Sequence, residues 1–253
     1  MNKKLIISSI TILIVATLFS WRTATQNVDN LTFSKSELLG KIKPANNAAF
    51  TKVDSEYILG DRTIYLRKEV FRAFTKMYDS AKTCGIELKL ISGFRSFEHQ
   101  QRIWEGKWNG KIAATGLNFS DPNLTDLKKA QIILNYSSMP GISRHHWGTD
   151  IDIIDLNPKY FETTKGKKAY SWLKTNAKNF GFCQPYTAFD SIRSSGFWEE
   201  KWHWSYFPIS DLMLKDYQRL IKYSDISGFK GCWTADSLKV IENYVFNISA
   251  DCK

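Results

Sequence analysis

The 253-residue chain lacks the patterns that build thiolate metal sites and nucleic-acid stripes. Its four cysteines, at 84, 183, 232 and 252, form no Cys-x-x-Cys pair, which argues against a thiolate zinc finger or ribbon. Apart from Lys165-Gly166-Lys167-Lys168, no run of Lys or Arg exceeds two residues, so the net charge of +10 is not gathered into a nucleic-acid stripe. A diffuse basic surface of this kind suits an anionic membrane or cell-wall polymer. Internal repeats and low-complexity blocks are absent. Histidine is scarce too: there are four, and three of them stand in two short segments.

What is present describes a folded protein, 43% hydrophobic and 24% charged, with nine Trp that read as a core built on aromatic rings. Met1-Asn2-Lys3-Lys4 precedes an uncharged, mainly apolar run over residues 5–21, closed by Arg22. Residues 1–22 therefore read as a signal peptide or an uncleaved N-terminal membrane anchor, and the rest as exported to the periplasm or cell surface. At about 17 residues the run is at the lower bound for spanning a bilayer. Residues 23–55 read as a linker or N-terminal arm, 56–223 as the folded domain, and 224–253 as a C-terminal tail. In an exported chain four cysteines allow three pairings. Cys232 with Cys252 is the pairing expected, because it staples the tail, at about 3 kcal/mol.

Between these ends the periodicity predicts helices over 67–82, 97–104, 125–135, 168–179 and 211–223, and strands over 86–91, 150–154 and 198–207. Helices and strands alternate irregularly, which points to a single α+β domain.

The chemistry concentrates in Ser143-Arg144-His145-His146-Trp147-Gly148-Thr149-Asp150-Ile151-Asp152 and in Glu200-Lys201-Trp202-His203-Trp204. In a strand, Asp150 and Asp152 share one face while Ile151 and Ile153 enter the core. A carboxylate on a half-buried strand needs a partner, and a metal ion is an effective one. Gly148 permits the tight turn that brings His145 back to the ion. Glu200 and His203 are an odd number of residues apart, so a regular strand cannot carry both on one face. Glu200 is expected on the loop leading in. His145, Asp152 and His203 then form a set of two imidazoles and one carboxylate with an open position, the pattern of a catalytic single-zinc site, and Glu200 is left as general base.

Ser143-x-His145-x-x-Gly148-x-x-x-Asp152, followed by Glu200-x-Trp202-His203, resembles the D-alanyl-D-alanine carboxypeptidases of the VanY type. These belong to the zinc peptidase group that includes the D-Ala-D-Ala dipeptidases and, distantly, the hedgehog signalling domain. Ser92-Gly93-Phe94-Arg95-Ser96 with Gln100 matches the upstream motif, and the resemblance covers roughly residues 60–207. It implies an α+β fold whose small antiparallel sheet carries one zinc ion on His145, Asp152 and His203, flanked by helices. It also implies that Glu200 is the base, that Arg95 meets developing negative charge or the substrate carboxylate, and that Ser143, Gln100 and Trp202 lie beside the substrate. The activity implied is removal of the terminal D-alanine from peptidoglycan stem peptides. An endopeptidase of the same zinc group, or a cell-wall binding module that keeps the ion as structure, are the other readings. Asp150, where a small residue is usual in the family, is either a partner orienting a ligand or a charge that crowds the site. His146 is either packed on aromatics or a substrate contact.

Overall fold

The computed structural model describes residues 32–112, 121 and 123–253. The apolar run over residues 5–21 lies outside them. No helix among the described residues is long and apolar enough to cross a membrane.

The chain enters through helix α1 (Lys35–Leu38), whose Ser34 cap and Glu37 form a reciprocal capping box. Strand β1 (Phe50–Lys52) then pairs antiparallel with β2 (Tyr65–Arg67). Helix α2 (Lys68–Thr83) buries Val70, Phe74, Met77, Tyr78 and Ala81, the three-and-four spacing of one helical face. Strand β3 (Leu90–Ser92) starts later than the alternation over 86–91 suggests. Ile86 and Leu88 are buried, but the ladder partner of β3 begins only opposite Leu90. Helix α3 (Phe97–Trp108) is capped by Ser96, whose Oγ accepts from the His99 amide. Helix α4 (Asp126–Leu134) is capped in the same way by Thr125.

Strand β4 (Asp150–Ile153) is followed by helix α5 (Thr164–Asn176), which starts ahead of the expected 168 because Thr163 caps it there. Strand β5 (Phe182–Cys183), strand β6 (His203–Tyr206) and helix α6 (Phe207–Leu220) follow. The main sheet is fully antiparallel, in the order β3-β4-β6-β5. The fold is α+β, a small antiparallel sheet flanked by helices.

Alternation divides the two faces of this sheet. Leu90, Ile151, Ile153, Phe182 and Trp204 enter one core with α2 and α5. Asp150, Asp152, His203 and Ser205 are left on the other face, with Asp152 opposite His203 and Asp150 opposite Ser205. A second core gathers Trp104, Trp108, Ile133, Trp147 and Tyr217 from α3, α4, α6 and the turn before β4.

The segment after Tyr223 contributes Ile226, Phe229, Ala235, Val240, Ile241 and Val245 to that second core. Its end folds back on β5: the Ser249 amide donates to the Pro185 carbonyl at 2.9 Å, and Ser249 Oγ to the Gln184 carbonyl at 2.6 Å. This return corrects the expected cysteine pairing. The disulfide joins Cys183 to Cys252, with Cα atoms 5.7 Å apart, while Cys232 and Cys84 are free. Cys232 sits against the second core, whereas Cys252 is buried with Tyr186, Phe197 and Ile248 beside the edge strand.

Candidate active site

Three elements converge on the polar face of the sheet. The first is the single helical turn Arg144–Trp147, ended by Gly148 at φ +69°. A Cβ on Gly148 would lie 2.4 Å from the Phe50 ring, so both the backbone and the contact demand glycine. The turn carries His145 back over β4. The second element is β4 with Asp150 and Asp152. The third is the turn into β6, where Glu200 stands off the strand and its carbonyl accepts from the His203 amide at 3.2 Å.

One nitrogen from His145, one from His203 and one oxygen from Asp152 lie within 4.8 Å of one another, all on buried residues. The hydrogen bonds decide which nitrogens are free. His145 Nδ1 is 2.8 Å from the Gly93 carbonyl, which leaves Nε2 facing Asp152 Oδ2 at 3.2 Å. His203 Nε2 is 2.9 Å from Asp150 Oδ2, which leaves Nδ1 3.2 Å from Asp152 Oδ1 and 3.3 Å from Glu200 Oε2. Asp152 Oδ1 is buried and makes no hydrogen bond despite that nearness. Two free imidazole nitrogens and an unspent carboxylate oxygen, each turned toward the others, suit a divalent metal ion better than they suit one another.

The charges around this point are extreme. Burial alone would lift the Asp150 and Asp152 carboxyls, but Arg144 and His203 for the first, and His145 and His203 for the second, outweigh it and hold both well below the ordinary range. Burial alone would lower His203, but the carboxylates of Asp150, Asp152 and Glu200 packed around it outweigh this and raise the ring well above the ordinary imidazole value.

Asp150 is a partner that orients His203, and its charge is answered. It accepts from Arg144 Nε at 2.9 Å, Thr149 Oγ1 at 2.7 Å and Ser205 Oγ at 2.8 Å, with no exposed surface. Arg144 also donates to Ser205 Oγ and lies on the Trp147 ring. His146 is buried in the scaffold. Its Nδ1 donates to the Arg95 carbonyl, its Nε2 accepts from the Gly141 amide, and its ring stacks on Phe97. Burial drives its pKa down to about 3, so the ring is neutral at neutral pH.

Arg95 stands at the strand-to-helix junction, with Nη2 3.8 Å from Asp152 Oδ2. Its Nη1 donates to Gln100 Oε1 at 2.9 Å and its Nη2 to Ser92 Oγ at 3.1 Å. Gln100 is fully buried and donates to the Ser138 carbonyl, so it holds Arg95 from behind and does not reach the cleft. Ser143 and Trp202 line the cleft, a cavity of about 560 Å³ that also takes in Tyr136, Tyr186 and Trp198. Arg144, Tyr186 and Ser205 belong to the site without having been singled out in the sequence. Arg144 adjoins His145, but nothing in its spacing shows that it pairs with Asp150.

A family profile described as VanY, D-alanyl-D-alanine carboxypeptidase, matches residues 63–209. YodJ of Bacillus subtilis, named as a carboxypeptidase, is 28% identical over 172 residues, which span 62% of this chain and 55% of that one. A D-alanyl-D-alanine carboxypeptidase of Enterococcus faecalis is 29% identical over 133 residues, 53% of this chain and 45% of that one. The chain spans about half the length of the curated relatives it matches. Among solved structures, the LdcB LD-carboxypeptidase superposes with a TM-score of 0.50 at 23% identity, covering 69% of this chain and 75% of that one, a likeness of fold.

Proposed function

Because the chain belongs to the VanY family of D-alanyl-D-alanine carboxypeptidases, with the profile spanning its whole polar sheet face, we propose that it is a zinc-dependent D,D-carboxypeptidase acting on peptidoglycan stem peptides. The observation that carries this reading is the position of Glu200: a carboxylate 3.3 Å from the free nitrogen of His203, beside two ligand groups, yet on the loop and a quarter exposed, lining the cleft. His145, Asp152 and His203 would hold one zinc ion. When bound, that ion acts as a Lewis acid that polarises the scissile carbonyl and acidifies water. Glu200 takes the proton from the attacking water and hands it to the departing amine of D-alanine. Arg95, held by Gln100 and Ser92, donates to the carbonyl oxygen as negative charge develops on it. Ser143 and Trp202 meet the substrate along the cleft wall.

The reading places the enzyme outside the cytoplasm, delivered by residues 1–22 as a signal peptide or anchor. The Cys183–Cys252 bond supports this, since structural disulfides persist in oxidising compartments. The test is to incubate the zinc-loaded chain with a pentapeptide ending in D-Ala-D-Ala and to identify products by mass, beside Glu200→Gln. Single D-alanine released by the wild type alone is the expected result. Release of the dipeptide or internal cleavage would move the specificity, and zinc uptake with no cleavage would replace the enzyme by a binding module.

A further inference from the structure

The loop that ends at Glu200 is not held by the sheet alone. It leaves β5 at Gln184 and returns at Glu200, and Gln184 closes its base: Nε2 donates to the Tyr186 and Glu200 carbonyls, each at 3.1 Å. The Glu200 amide donates to the Tyr186 carbonyl at 2.9 Å. Arg193 fills the inside of the loop, fully buried, donating to the Thr187 and Phe197 carbonyls.

From the body of the domain, the Tyr170 hydroxyl of α5 donates to Gln184 and Glu199, but most of the described contacts on the loop's outer side come from the last dozen residues, beyond the 63–209 span that defines the family. Asn243 and Asn247 both hydrogen-bond Ser195. The Tyr244 ring meets Phe197 edge-on at 4.9 Å. Gly196, at φ +92°, runs so close to this segment that a Cβ would lie 2.2 Å from the Asn243 carbonyl. Ser249 bonds the Gln184 and Pro185 carbonyls, and Cys252 is bonded to Cys183 just before them.

We propose that the C-terminal segment, residues 243–252, is a clamp that positions Glu200, and that the Cys183–Cys252 bond fastens it. The metal ligands are held mainly from outside this clamp, although the loop's Tyr186 ring meets His203 at 4.8 Å. His145 and Asp152 are held by the Gly93 carbonyl and the β4 ladder, and His203 by Asp150 and β6. Opening the bond therefore loosens Glu200 more than the residues that would hold the ion. With dithiothreitol, the reagent gives two electrons and two protons to the disulfide, leaving two thiols and closing into its own cyclic disulfide.

The inference rests on Glu200 being the base, so Glu200→Gln is run beside the clamp variants. The full chain is compared with Cys183→Ser/Cys252→Ser and with Gly196→Ala, which keeps the disulfide but displaces the loop. The readings are kcat and KM on the pentapeptide, bound zinc, and amide hydrogen exchange in the metal-free chain. Both variants are expected to lose at least tenfold in kcat, with KM and bound zinc within about twofold of wild type. Exchange should quicken tenfold over 186–200 and stay unchanged over 143–153. Dithiothreitol should reproduce the loss in wild type, and reoxidation should reverse it. Full kcat in both variants, while Glu200→Gln is inactive, would overturn the clamp and leave the base assignment standing. Full activity in Glu200→Gln would overturn the base itself. Quickened exchange spread equally over 143–153 would also overturn the proposal, because the segment would then serve general stability.

Discussion

Asp150→Asn separates the two tasks that Asp150 performs. The side chain is the same size, and its amide nitrogen can turn toward Thr149 and Ser205, whose hydroxyls can accept. The oxygen then stays with His203 and Arg144 in nearly native geometry. What is lost is the charge. Arg144 is left as a cation with no exposed surface and no counter-ion, and breaking a buried pair from one side costs about 3–5 kcal/mol. For a domain of this size, that lowers the midpoint of thermal unfolding by roughly 6–20 °C. His203 meanwhile donates to a neutral oxygen instead of a carboxylate and becomes a poorer ligand, so zinc affinity falls about 10–100-fold. The assay is calorimetric melting of the metal-free chain together with zinc competition against a chromophoric chelator. Adding Arg144→Met removes the stranded cation and should return most of the lost stability, but none of the lost affinity. Wild-type zinc affinity in Asp150→Asn would refute the role assigned to the His203–Asp150 bond. A double variant no more stable than the single one would refute the charge-pair reasoning.

Cys252→Ser opens a loop closed over a sequence separation of 69 residues, which should cost about 4 kcal/mol, whereas Cys232→Ser should stay within about 0.5 kcal/mol; denaturant melts that show equal losses would contradict the assigned pairing. Gly148→Ala combines a positive φ with a contact on the Phe50 ring and should cost roughly 2–4 kcal/mol in the same melts. His146, whose pKa falls from 6.5 unfolded to about 3 folded, binds its proton only in the unfolded chain between those values. Its contribution is therefore complete above pH 6.5 and is lost as pH falls toward 3, by up to about 1.4 kcal/mol per unit; the metal-free wild type should show that slope and His146→Gln should lack it. Because the metal-free site raises the His203 pKa well above 6.5, zinc binding at pH 7 should expel about one proton, read by calorimetry in buffers of different ionisation enthalpy; no release would refute the protonated resting state.

The parts of the site that were legible in the sequence are those set by local geometry. Period-two alternation places Asp150 and Asp152 together and Ile151 and Ile153 in the core, and the odd spacing of Glu200 and His203 forces the glutamate off the strand. The aromatic and aliphatic spacing of α2 is likewise enough to place its buried face. What was not legible depends on contacts made far along the chain. Asp150 finds its use only when Arg144 lies across it and His203, 53 residues away, comes alongside. Cys183 and Cys252 meet because residues 243–252 return to β5, and no periodicity in that segment announces the return. The alternation over 86–91 outruns β3 because a strand needs a partner, and β4 offers none before Leu90.

The balance of charge on the polar face explains why these long-range contacts were needed. With both imidazoles neutral, Asp150, Asp152 and Glu200 oppose Arg95 and Arg144, leaving one net negative charge in a buried setting. Such a site favours a cation, and without metal the carboxylates of Asp150, Asp152 and Glu200 favour a proton on His203, whose pKa rises. A divalent ion held by His145, Asp152 and His203 would displace that proton and turn the face positive by one charge. That is the sign the proposed carboxypeptidase reading requires, in which a peptide with a free carboxylate binds and a carbonyl oxygen gains negative charge. A neutral residue in place of Asp150 would leave Arg144 stranded, and a neutral residue in place of Arg144 would leave the metal-free face more negative still. The pair is thus what lets one extra carboxylate fix the His203 tautomer without changing the charge that the substrate meets.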